Sequence, residues 1–71
     1  MTIDELQLRA EHLEEQIAAA KAETRIALQP QFSNVLGMIA AGGAKVPRRM
    51  RRLDAALVEE AIEARFDNMP V

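Results

Sequence analysis

From the N-terminus, apolar or small residues recur at Ile3, Leu6, Ala10, Leu13, Ile17, Ala20, Thr24 and Ala27, in alternating steps of three and four. An α-helix turns once every 3.6 residues, so these positions share one face. A seam with this spacing predicts a long first helix packed nearly parallel to a long neighbour. Thr2-Ile3-Asp4-Glu5 fits a capping box at its start, the Thr2 hydroxyl accepting from the backbone three residues on and Glu5 reaching back to the cap. Ala10, Ala20 and Ala27 are small enough to let the neighbour come close, and Thr24 weakens the second half of the seam.

Pro30 is predicted to end or kink this helix, because the residue before a proline avoids helical geometry. Beyond it, Phe32, Val35, Leu36 and Ile39 form a stripe that predicts a short second helix over 31–41, closed by Gly42-Gly43. Residues 44–46 read as a linker, and Pro47 is suited to begin a third helix running to about Asp67. That helix carries two apolar stripes side by side. Met50, Leu53, Leu57, Ala61 and Ala64 make one; Ala55, Val58, Ile62 and Phe66 make the other. Together they cover a wider arc than one buried face needs, so this helix is expected to touch both its own domain and a partner. No strand pattern and no internal repeat interrupts the series. The prediction is an all-α fold of three helices: a long N-terminal helix in a hairpin with a short second helix, and a third, amphipathic helix. Residues 1–67 form a single domain, followed by a short tail at 68–71.

Composition narrows what such a fold can do. The 71 residues are 49% hydrophobic and 28% charged, with no cysteine, tryptophan or tyrosine and only Phe32 and Phe66 aromatic. Alanine is the commonest residue, so the core is small and aliphatic, and a domain of this size usually needs a second copy or a partner to complete it. A homo-oligomer is expected, with Ile3, Leu6, Ala10, Leu13, Ile17 and Ala20 of the first helix and Leu57, Ile62 and Phe66 of the third at its interface. The first residues carry neither a basic nor an apolar signal region, and the uncharged run from Leu28 to Ala44 is too short and polar to span a bilayer. A cytoplasmic chain with no membrane contact is the expectation. Catalysis is not expected: His12 is the single histidine and Ser33 the single serine, with no nucleophile–base pair to assemble. No metal or cofactor is expected either, since a carboxylate–histidine pair would want a Glu where Arg9 stands. Met38, Met50 and Met69 read as adaptable core filling.

The net charge of −2 conceals three blocks. Residues 1–40 carry six acids and three bases, residues 41–53 five bases and no acid, and residues 54–71 five acids and one base. The basic block is Lys45, Arg48, Arg49, Arg51 and Arg52, at the start of the third helix, and Glu59, Glu60, Glu63 and Asp67 lie toward its end. Both groups oppose the helix dipole, so helix stability does not account for them. Three readings remain open. The arginines can hold a DNA or RNA backbone without reading sequence, aided by free N–H groups at the helix start. They can face Glu11, Glu14 and Glu15 of the first helix. Or two copies of the third helix can pair antiparallel, arginines against glutamates. No aromatic residue interleaves the basic run, which disfavours base stacking.

The heptad helix, the Pro30 break into a short apolar helix and the basic segment Lys45–Arg52 together resemble the layout of small terminase subunits of tailed phages and gene transfer agents. That resemblance implies a ring-forming oligomer around a helical hairpin that helps to load DNA; no helix-turn-helix reader is evident here. The expectation is a small non-enzymatic helical adaptor whose basic segment contacts nucleic acid non-specifically. The alternative is a protein-only interaction module docking its apolar third-helix face on a larger partner.

Overall fold

The computed structural model describes residues 2–67, with side chains through residue 65. The proposed tail at 68–71, Met69 within it, and the expected interface role of Phe66 lie outside the described residues and side chains. Three helices account for most of the chain: α1 (Ile3–Ala19), α2 (Ala22–Ala41) and α3 (Arg48–Asp67). The fold is all-α, and α2 packs against both of its neighbours.

The apolar spacing of α1 holds for its length. Leu6, Ala10, Leu13 and Ile17 are all buried. Thr2 caps the helix, its hydroxyl accepting from the Glu5 N–H at 3.2 Å. The expected long helix, however, stops at Ala19. Ala20 and Lys21 adopt extended backbone, with φ/ψ of −86/156 and −73/163. Thr24 and Ala27 therefore belong to α2 and are exposed. The reason is tertiary. Turning at 20–21 folds α2 back along α1, so that Ile3 lies beside Gly42 at the far end and Ile17 beside Arg25 at the near end. This sets Leu6, Ala10, Leu13 and Ile17 in one core with Phe32, Val35, Leu36 and Ile39.

The second helix is no short element starting after Pro30 but a 20-residue helix with Pro30 inside it. Pro30 itself is exposed, so its ring lies on the outer side of the helix and takes no space in the core.

The close of α2 agrees with the glycine pair. The Ala44 N–H donates to the Ile39 carbonyl and the Gly43 N–H to the Ala40 carbonyl, at 3.2 and 3.0 Å, with Gly43 at φ 87. This is a Schellman ending, and Gly43 occupies its left-handed position. Gly37, by contrast, lies on the exposed side of α2 with nothing within 4 Å of an added Cβ. Gly43→Ala should lower stability by about 1–2 kcal/mol, from the steric cost of left-handed backbone. Gly37→Ala should raise it by about 0.5–1 kcal/mol, from helix propensity. Thermal melts of the two variants should therefore shift in opposite directions. The same sign for both would contradict this ending of α2.

Chain reversal after Gly43 runs α3 back along α2. Val46 and Met50, 4% and 2% exposed, anchor the linker and the first turn, and Leu57 is fully buried. Of the methionines, Met50 fills core as expected, whereas Met38 is 39% exposed.

Candidate nucleic-acid interface

The start of α3 is fixed by groups other than its arginines. The Pro47 carbonyl accepts from the Met50 and Arg51 N–H groups at 3.1 and 3.2 Å, which makes Pro47 the cap residue. Met50 then points into the core, with Leu53 packed partly against it. At about 100° per residue, that orientation sends Arg48 and Arg52 to the opposite side, Arg49 to one flank and Arg51 to the other. Lys45, Arg48, Arg49, Arg51 and Arg52 are all exposed.

The flanks differ. Arg49 lies on the α1 side, where its Nε donates to both Glu14 carboxylate oxygens at 3.1 and 3.3 Å. Glu11 lines the same cleft as Arg49 and Met50. One arginine of the block is thus matched to an acid of the first helix within the chain. The pair is an outer one, 63% and 25% exposed at the two side chains, and such pairs contribute about 0–1 kcal/mol. Arg51 borders a shallow depression with Leu36, Gly37, Ala40, Val46 and Asp54. Among the described residues the ion pairs are Arg49–Glu14 and Arg25–Glu60. Lys45, Arg48, Arg51 and Arg52 enter neither of them.

Arg25 is a structural residue that no local pattern announced. It donates from Nη1 to the Ile17 carbonyl at 3.2 Å, and from Nε and Nη2 to the two Glu60 oxygens at 3.2 and 3.1 Å. One guanidinium thus covers the C-terminal end of α1, where a cation suits the dipole, and ties it to α3. Glu60 is consequently occupied within the chain. Asp54, another acid of α3, accepts from Gln29 Nε2 at 3.0 Å.

The residues expected at an oligomer interface divide in two. Leu6, Ala10, Leu13, Ile17 and Leu57 are buried in the chain's own core, between 0% and 6% exposed. Ile3 and Ala20 are half-buried at the two ends of the hairpin. An interface built on the α1 seam would require the hairpin to open, because α2 already occupies that face. Ile62 is different: it is 48% exposed, with Val58 beside it at 41%. The two border an open groove with Ile26, Gln29 and Ala61. Ala55, Val58 and Ile62 of the second stripe are therefore left uncovered while the first stripe packs inward.

His12 is exposed and Ser33 half-buried in mid-helix. Among the described residues no three or more His, Asp or Glu side chains gather as a metal-binding group, and no helix is long and apolar enough to cross a membrane. Comparison with protein-family models, with characterised proteins and with solved structures finds no match for the chain.

Proposed function

We propose that the chain is a non-enzymatic helical adaptor whose α3 start contacts the phosphate backbone of DNA or RNA without reading sequence. The observation that carries this reading is the set Lys45, Arg48, Arg51 and Arg52, exposed on the start of α3 and the linker before it and outside both internal ion pairs. Arg48, one turn before Arg51 and Arg52, repels both, and cations at a helix start oppose the dipole, a cost of a few tenths of a kcal/mol each that an external anion reverses. Arginine's planar fork suits phosphate oxygens, and the unpaired N–H groups at the start of α3 add donors of the right polarity. Sequence-specific reading of single strands is disfavoured, because no aromatic residue stands among the cations to stack on bases.

Fluorescence anisotropy with a labelled duplex of arbitrary sequence, repeated across a salt series, tests this. Four phosphate contacts predict a slope of log affinity against log salt of about −3 to −4, with little change on scrambling the sequence. No binding at low salt, or binding indifferent to salt, would overturn the proposal.

A second reading, a protein-only module, is favoured by Val58 and Ile62. Two large aliphatic side chains at 41% and 48% exposure beside a groove are a docking surface independent of the arginines.

A further inference from the structure

The outer face of α3 bears a pair of bases followed by a pair of acids. Arg48 and Arg52 lie on successive turns at its start, Ala55 and Ala56 at the middle, and Glu59 and Glu63 on successive turns beyond; all six are exposed. The core-facing residues Met50, Leu53 and Leu57 lie on the opposite side, so neither α1 nor α2 covers this row. Glu60, the neighbouring acid, is occupied by Arg25, whereas Glu59 and Glu63 take part in neither ion pair of the described residues.

This order is complementary to itself. A second α3 laid antiparallel, with the two-fold axis between Ala55 and Ala56, sets Arg52 against Glu59 of the other copy and Arg48 against its Glu63. The symmetry then repeats both pairs. In antiparallel helix pairs, flanking rows of the same kind face each other, so the whole row matches opposite signs. The alanines at the crossing are small enough for close approach. Val58 and Ile62, at 41% and 48% exposure, lie beside the row and would be covered by the second helix. A parallel pairing would instead place arginine on arginine and glutamate on glutamate.

We infer that the outer face of α3 is a self-association surface, occupied by the same face of a second copy in antiparallel orientation. This does not depend on the nucleic-acid reading. The two uses share Arg48 and Arg52, so a polyanion and a second copy compete for them.

Sedimentation equilibrium in low salt without nucleic acid tests it with two single variants, Arg52→Glu and Glu59→Arg, and their mixture. Both positions are exposed, so the fold is not at stake. The wild-type chain should self-associate. Each single variant turns two attractive pairs into repulsive ones and should weaken self-association on the order of tenfold. The equimolar mixture should recover it. The Arg52→Glu chain carries acids at both positions and the Glu59→Arg chain carries bases at both, so a mixed antiparallel pair sets acid against base twice. A wild-type chain monomeric at its highest soluble concentration would overturn the inference and leave the stripe to a larger partner protein. Self-association unchanged in the single variants, or not recovered in the mixture, would overturn the antiparallel pairing.

Discussion

Phe32→Ala should abolish a cooperative thermal transition or lower its midpoint by at least about 15 °C. Phe32 is fully buried at the centre of α2, in one core with Leu13 and Ile17 from α1, Leu57 from α3, and its own stripe of Val35, Leu36 and Ile39. Removing a buried phenyl ring costs about 3–5 kcal/mol, from lost transfer energy and from the cavity left behind. A chain of 71 residues holds only roughly 4–11 kcal/mol in total, at typical values per residue. With no disulfide to limit the unfolded state, that loss takes most of the reserve. Neighbouring helices can close into the space only so far, because their own side chains are already packed. Circular dichroism against temperature reads the result. A midpoint within a few degrees of the parent would mean that the three helices do not share the core described here.

The face patterns of the helices were legible because burial acts on periodicity directly. Leu6, Ala10, Leu13 and Ile17 could be assigned to one face of a helix without knowing their partner, as could Phe32, Val35, Leu36 and Ile39. The turn at Ala20-Lys21 was not legible. Alanine and lysine both favour helix, and the stretch from Ala18 to Ala22 holds nothing that stops one. The chain turns there because antiparallel packing of α2 on α1 buries more apolar surface than continuing straight, and that comparison involves residues far apart in sequence. Pro30 misled for the complementary reason. A local signal for a break was overridden because the proline faces solvent and the stripes on both sides of it, Leu28 before and Phe32 after, point to the same core. At the basic end, the cluster was plain in the sequence but its internal partner was not. Which arginine meets an acid of α1 depends on the roll of α3, fixed by Val46, Met50 and Leu57. That roll selects Arg49 for Glu14 and turns Arg48 and Arg52 outward. The Arg25 tie joins residues 17, 25 and 60, a relation that exists only once the hairpin has formed.

Replacing Arg48, Arg51 and Arg52 together by alanine should separate affinity from stability. Arg49 is retained in this variant because its guanidinium serves Glu14. Three lost phosphate contacts remove about 2.7 released counterions, which at 50 mM salt corresponds to a fall in affinity on the order of 10³-fold. Stability should move the other way. Each cation in the first turn opposes the dipole by about 0.3–1 kcal/mol, and Arg48 repels both Arg51 and Arg52 at the adjacent spacings. Alanine is also the better helix former. The melting midpoint should therefore stay level or rise by a few degrees at a dilution where the chain is monomeric.

The single most direct measurement is this triple variant compared with the parent, with duplex affinity and melting midpoint read on the same samples. Affinity lost with the midpoint level or raised is the predicted result, since it shows cations held for an external anion at the expense of the fold. A lowered midpoint with no affinity to lose would contradict it, since the arginines would then be part of what holds the helices together.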